Sequence, residues 1–296
     1  MRLLLRVPRA LNPRTVTPRS ALTPPALASH SRTYASKQPP IDPSAVASAA
    51  AALNPRWLSD LKARIGKCIT FGLHQEQVTE AGAICAVLGQ EWRELVAGAE
   101  GYLTDPGRRG LWGHAVVWGD QDSMGHVNNV TYNRYAESAR INWASNYAKH
   151  LDPTHASHWA NLWTPSGQGL ILKSITTDFK FPLTYPDRIT VLHKLRAQPK
   201  PHSSAFTLSC IVLSEKHQRL AARCEEVIVL YDYVKGRKSG MPDFMLSAFE
   251  TTWDLQEKRR EEVLERVRGL TERVRELERG SWDREGAVED MGSAKG

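Results

Sequence analysis

What most restricts the fold of this chain is one strand-like apolar run, a polar turn and a single long helical stripe, followed by four more strand-like runs. Between Leu111 and Trp118 the residues Ala115, Val116, Val117 and Trp118 are consecutive and stop at Gly119, which is the pattern of a buried strand closed by a breaker. Downstream, Val130, Tyr135, Ala139, Trp143 and Tyr147 recur every three to five residues, so this stretch buries one face of a long helix. Segments 169–183, 189–195, 204–213 and 220–233 are rich in Val, Ile, Leu and Phe, and Pro182 and Tyr185-Pro-Asp187 punctuate the first two; they read as strands. One helix among five or more strands has few ways to hide its apolar face. An antiparallel sheet wrapped around that helix buries both surfaces, which makes the expected class α+β.

The turn between the first strand and the helix reads Trp118-Gly-Asp-Gln-Asp122-Ser-Met-Gly-His126-Val-Asn-Asn129-Val-Thr-Tyr132. Gly125 permits a backbone conformation closed to other residues, and Asn128 or Asn129 caps the helix by accepting one of its first free amide protons. The amides that stay uncapped carry the positive end of the helix dipole and favour an oxygen that gains negative charge. A carboxylate at Asp122 is therefore placed beside an oxyanion site. The alternative use of Asp122 is a turn in which its side chain accepts from its own downstream amides. Asp120, two residues earlier, reads as the residue that ends the strand.

At these residues the chain resembles the hotdog-fold acyl-CoA thioesterases of the 4-hydroxybenzoyl-CoA thioesterase type, whose pattern is a strand, an Asp, a short Gly-containing turn and a Tyr-containing helix. The resemblance continues through Tyr135-Ala-Glu137-Ser-Ala-Arg140 and through Phe179-Lys-Phe-Pro-Leu-Thr-Tyr-Pro-Asp187, and spans roughly residues 111 to 240. It implies a hotdog fold. It also implies that Asp122 is the nucleophile or general base, that the backbone N–H of Asn129 polarises the thioester carbonyl, and that the protein is a homodimer or homotetramer with sites at the subunit interface. Substrate contacts are expected at His126, Tyr132 and Glu137. His126 has three readings: orienting substrate, donating to the thioester oxygen, or bonding to backbone. Tyr132 and Tyr135 read as pocket wall or core. Glu137 either lines the acyl pocket or pairs with Arg134 or Arg140, three residues away on the helix. No metal or cofactor is called for, since coenzyme A enters as part of the acyl-CoA substrate.

Charge narrows the partners. The formal net charge is +7, but residues 1–41 hold seven of the 39 basic residues and no acid, which leaves 32 basic residues against 32 acidic ones. The body of the protein therefore offers no net positive field to nucleic acid. An acid-free leader rich in arginine, serine and threonine reads as a mitochondrial presequence over 1–34, with Arg32-Thr-Tyr34-Ala35-Ser36 as its processing site and the matrix as destination. A Pro-, Ala- and Ser-rich linker follows over 35–55. No apolar run reaches the roughly 20 residues that span a bilayer, so no transmembrane segment is expected. Cys68, Cys85, Cys210 and Cys224 lack Cys-x-x-Cys spacing and read as buried thiols, with Cys210 and Cys224 able to face each other across a hairpin.

Helical extensions flank the domain. Over 56–110, Trp57, Leu58, Leu61 and Ile65 suggest a short helix, and Ala81, Ile84, Val87, Leu88, Trp92, Leu95 and Val96 a longer one. Over 241–296, Val263, Val267, Leu270, Val274 and Leu277 alternate steps of four and three, the seam of a coiled coil or of an amphipathic helix that docks on the domain or a partner. Charges around that seam read as a solvated face.

Acyl-CoA hydrolysis is thus the leading reading. Hydration or dehydration of an acyl thioester stands behind it, because an Asp and a His five apart with Asn-Pro between them are absent. A third reading, suggested by the extensions, is a catalytically inactive hotdog domain that serves as a mitochondrial assembly or scaffold component.

Overall fold

The structure is a computed structural model that describes residues 53–289. The presequence and all but the last three residues of the linker expected from the sequence lie outside that range. In chain order the elements are helices α1 (Trp57–Thr70), α2 (Gln75–Gln90) and α3 (Trp92–Gly98), strand β1 (Leu111–Val116), helices α4 (Asn129–Asn146) and α5 (Ala156–Asn161), strands β2 (Gln168–Phe179), β3 (Asp187–Leu195), β4 (Ala205–Ser214), β5 (Arg219–Asp232) and β6 (Arg237–Lys238), and helix α6 (Asp243–Gly280). The strands form one antiparallel sheet in the order β1-β3-β4-β5-β2, with β6 paired to the end of β5.

Alternation along the central strands explains how the helices are divided. Ile189, Val191, Cys210 and Val212 share a core with Tyr135, Ala136 and Ala139 of α4. Leu192, Ile211 and Leu213, displaced by one residue and so pointing to the other face, share a core with α1, α2, α3 and α6. Both faces of the sheet are covered, which is why β3 and β4 read as near-continuous apolar runs instead of alternating ones. Small side chains let α4 sit close: a Cβ added at Gly110 would lie 2.8 Å from the Ala139 Cβ and 2.6 Å from the Val191 carbonyl oxygen. A third cluster, rich in aromatics, fills the end of the domain where Trp143, Tyr147 and Trp159 meet Met245 and Phe249 of α6.

The helix α6 is 38 residues long, about 57 Å at 1.5 Å per residue. Its seam residues Val263, Val267, Leu270, Val274 and Leu277 are all buried against the N-terminal helices and the sheet, each contributing about 2 kcal/mol on burial. The seam's partner is therefore the chain's own extension. Not all of the charge around it is solvated: Arg64 makes a two-pronged pair with Glu278 at 2.7 and 2.8 Å, and Arg273 pairs with Glu80 at 2.5 Å. Glu278 is buried.

Several local expectations need correction. β1 ends at Val116; Val117 and Trp118 are exposed, Trp118 by 74%, because the chain turns into a short 3-10 segment, Trp118–Asp120. Val130 is also exposed, while the buried stripe of α4 runs through Thr131, Tyr132, Tyr135, Ala136, Ala139, Arg140, Trp143 and Ala144. The second N-terminal helix is two helices, since Glu91 separates α2 from α3. β2 stops at Phe179 instead of running to Leu183. Cys85 is exposed, whereas Cys68, Cys210 and Cys224 are buried. Cys210 and Cys224 are direct cross-strand partners and remain free thiols.

Candidate active site

The loop between β1 and α4 is fixed by backbone and side-chain bonds that start with Asp120. Its Oδ2 accepts from the Val117 N–H at 2.9 Å and from the Tyr135 hydroxyl at 2.7 Å, and its carbonyl accepts from the Asn128 N–H at 2.8 Å. Burial, and then the adjacent Asp120, push the Tyr135 hydroxyl well above its ordinary pKa, so it stays a donor. Asp120 is a positioning group that closes the strand onto the helix. Among the described residues no hydrogen bond joins it to Asp122.

Asp122 sits at the tip. Its N–H donates to the His126 carbonyl at 2.8 Å and its carbonyl accepts from the Gly125 N–H at 3.1 Å, a reversal that Gly125 completes at φ +73°, where glycine alone adopts the conformation freely. The carboxylate uses Oδ1 to accept from the Met124 N–H at 2.8 Å. That is the turn bond considered for it, and it orients the side chain without consuming Oδ2. The turn bond does not exclude a second use of the carboxylate.

Helix α4 opens immediately after. Asn128, with φ −57° and ψ 137°, is the cap, and its Oδ1 accepts from the Val130 N–H at 2.9 Å. The Thr131 N–H donates to the Asn128 carbonyl at 2.8 Å. The backbone N–H of Asn129, the first helical residue, donates to no atom among the described residues. It is left at the positive end of an 18-residue helix, where partial charge of about half a unit accumulates.

A cavity of about 300 Å³ opens here, lined by Asp122, His126, Asn129 and Tyr132, and by Phe179 and Lys180 at the end of β2. Four of the five site residues expected from the sequence therefore meet at one cavity. Tyr132 forms a wall. Its ring packs edge-on against Phe179 with centroids 5.2 Å apart, and its hydroxyl accepts from the Leu183 N–H at 2.9 Å; burial raises its pKa. The imidazole of His126 is exposed. Lys180 pairs with Asp178. The N-terminal helices and α6 contribute none of the cavity's lining.

Glu137 lies elsewhere, exposed on the wall of a second cavity. Neither of the two ion pairs considered for it is present among the described residues, because Arg140 is buried and its Nη1 lies 2.7 Å from Oε1 of Glu226. The other oxygen of Glu226 lies 3.3 Å from the ring of His193, with both side chains fully buried. This buried charge cluster was not anticipated. Its signal is Glu226 itself, which shares the inward register of Cys224, Ile228 and Leu230 on β5 and so places a carboxylate among core positions. Among the described residues no three His, Cys, Asp or Glu side chains are grouped to hold a metal ion, and no helix is long and apolar enough to cross a membrane.

Residues 116–249, somewhat under half of the chain, match a family described as the thioesterase-like superfamily. A search of curated proteins finds no match. Similar solved structures include a thioesterase of Thermus thermophilus complexed with coenzyme A and zinc, at 20% identity over 46% of this chain and 88% of that one, with a TM-score of 0.36. A 1,4-dihydroxy-2-naphthoyl-CoA thioesterase of Synechocystis is 21% identical over 45% of this chain and 90% of that one, with a TM-score of 0.37. With its antiparallel sheet and the helix α4 on one face, the chain has an α+β hotdog fold, and its residues 116–249 match the thioesterase-like superfamily.

Proposed function

We propose that this protein hydrolyses an acyl-CoA thioester to the free acid and coenzyme A. The observation that carries the reading is that the Asp122 carboxylate and the undonated N–H of Asn129 share one cavity at the start of α4. In the reaction, Asp122 attacks the thioester carbonyl or takes a proton from an attacking water, and the negative charge that forms on the carbonyl oxygen is met by the Asn129 N–H and the helix dipole. The Met124 amide holds the carboxylate in place and His126 and Tyr132 border the thioester. On the base route Asp122 returns the proton taken from water to the coenzyme A sulfur as the C–S bond breaks. On the nucleophile route the thiolate leaves and is protonated by solvent, after which water hydrolyses the acyl-aspartyl anhydride and restores the carboxylate. Changing Asp122→Asn preserves the turn bond through the amide oxygen but removes the nucleophile or base, and should lower turnover about a thousandfold. Native turnover of acyl-CoA by that variant would reject the assignment.

The same reading extends to assembly and address. Among the described residues β2 is hydrogen-bonded on one side only, and its twelve-residue open edge carries exposed Leu172 and Phe179, a surface that invites strand pairing. The sheet face opposite α4 is already covered by the helical extensions. We therefore favour a homodimer joined edge to edge over a tetramer stacked through that face; a monomer in light scattering would count against it. The acid-free leader supports import into the mitochondrial matrix, and an intact Met1 on protein isolated from cells would argue against cleavage. For the scaffold alternative the cavity would have to be closed by the extensions, and none of their described residues line it.

A further inference from the structure

After β5 the sequence runs Tyr233-Val-Lys-Gly236-Arg-Lys238, an aromatic and an aliphatic residue followed by three cations around a glycine. The chain folds back there, with Tyr231 of β5 opposite Lys238 of β6 and Asp232 opposite Arg237. The turn is pinned from inside. Asp232 Oδ1 accepts from the Val234 N–H at 3.0 Å and from the Lys235 N–H at 2.9 Å, and its Oδ2 pairs with the Lys235 ammonium at 3.3 Å. Gly236 closes the reversal at φ +62°, a conformation open to glycine. These bonds hold Val234 at the tip, where it is 82% exposed, more than any other large apolar residue described. Tyr233 beside it is exposed as well. At such a turn Asn, Asp, Gly or Ser is the ordinary choice; a valine keeps its apolar surface in water.

Basic and acidic residues balance over the body of the chain, but not here. Arg237 and Lys238, and Lys200 on the adjoining turn, are exposed and form no ion pair among the described residues. The two turns are joined: the Met241 N–H donates to the Ser203 carbonyl at 2.9 Å, the Ser203 N–H donates to the Lys200 carbonyl at 3.2 Å, and a Cβ on Gly240 would lie 3.5 Å from the His202 Cα. The acids nearest the hairpin along the chain are Asp232, which the turn and Lys235 already engage, and Asp243 at the start of α6. Four cations therefore stand against two carboxylates, one of them committed.

We propose that this tip docks the protein on an anionic phospholipid bilayer, with Val234 and Tyr233 entering the headgroup layer while Lys200, Arg237 and Lys238 meet lipid phosphates. An acidic polymer would satisfy the cations but leave the valine in water. The headgroup boundary offers negative charge and hydrocarbon side by side. Each cation near such a surface is worth about fivefold in partitioning and burial of a valine side chain about tenfold. Three cations and Val234 together then reach about a thousandfold, a reversible peripheral attachment. Gln168 at the start of β2 pairs with Asp232, whereas Phe179 at its other end lines the Asp122 cavity. β2 is twelve residues long, about 40 Å at roughly 3.3 Å per residue, so docking at the tip leaves that cavity clear of the lipid. The inference does not depend on the hydrolase reading.

The test uses the full chain and extruded vesicles of phosphatidylcholine, alone or with about one-third phosphatidylglycerol to supply surface charge. Co-flotation is expected with the anionic vesicles only, and should be lost in about 1 M salt, where the Debye length is about 3 Å. Arg237→Glu with Lys238→Glu should lower partitioning by about twenty-fivefold or more, and Val234→Asp by about tenfold. Tm should stay unchanged in both, since all three side chains are exposed. Because residues 1–41 are also basic, amide exchange of the wild type is read segment by segment: anionic vesicles should slow exchange in 231–238 and 200–203. Partitioning unchanged by the charge reversal, or protection confined to residues 1–41, would overturn the proposal. Equally tight binding to polyglutamate, undiminished in Val234→Asp, would reassign the cations to an acidic polymer and overturn it too.

Discussion

A backbone donor is hard to remove by mutation, but at position 129 the fold allows it. Asn129 is the first residue of α4, the helical position where proline is best tolerated because its N–H has no partner in the helix and its fixed φ suits the first turn. Proline also restricts the residue before it to extended conformations, and Asn128 already has φ −57° and ψ 137°. The Asn129 N–H makes no hydrogen bond among the described residues, so Asn129→Pro deletes no folded-state bond. Stability should stay level or rise by about 0.5 kcal/mol through the loss of unfolded-state freedom. Any fall in activity then reports the donor itself. Removing one oxyanion donor costs about 3 kcal/mol of transition-state stabilisation, a loss of roughly two to three orders of magnitude in kcat. Asn129→Ala, which keeps the N–H and discards the side chain, is the control and should stay within a few-fold of the wild type. The assay follows thiol release from decanoyl-CoA at saturating substrate, with a thermal melt on each variant. Native kcat in a folded Asn129→Pro protein would refute the oxyanion role, and equal losses in Pro and Ala would assign the effect to the side chain.

Three further expectations concern the scaffold behind the site. Glu226→Gln leaves the Arg140 guanidinium buried without its countercharge, which costs about 3–5 kcal/mol and for a domain of this size lowers Tm by about 10 °C; the double variant Arg140→Met with Glu226→Leu should recover most of that in the same melt. Burial by itself would raise the pKa of Glu226, but His193 and Arg140 outweigh it and the net shift is downward from 4.5. Its contribution to stability is then complete above its unfolded value and lost as pH falls through the lower folded one. Wild-type urea midpoints should therefore drop in acid below pH 4.5 more steeply than those of Glu226→Gln, and parallel curves would contradict this assignment. Gly110→Ala would push a methyl group against the Ala139 Cβ and the Val191 carbonyl, and we expect a loss of about 1–3 kcal/mol in urea unfolding, with no loss refuting the close packing of α4.

Much of the candidate site is legible in the sequence because its parts are close along the chain. The residues from Asp120 to Tyr132 make a strand end, a glycine-dependent reversal and a capped helix start, each of which depends on local backbone chemistry. Asp122, His126, Asn129 and Tyr132 consequently arrive at one cavity together. At Asp122 the expected turn bond is present through Oδ1, and Oδ2 accepts no hydrogen bond among the described residues, which leaves it for the catalysis proposed above. Glu137 was separated from that group because its place depends on which of two cavities the helix stripe passes.

The amino-acid order on its own therefore determined where the main strands run, that a long helix follows the first of them, and what chemistry stands at the turn, since periodicity and capping act within a few residues, whereas the short α5 (Ala156–Asn161) was not read from it. Only the tertiary structure decided which apolar residues are wet, such as Trp118 and Val130, and what covers the seam of α6. It also decided that Arg140, Glu226 and His193 share one buried cluster. These outcomes depend on side chains far apart in the chain, whose burial and pairing exist only once the sheet has brought them together.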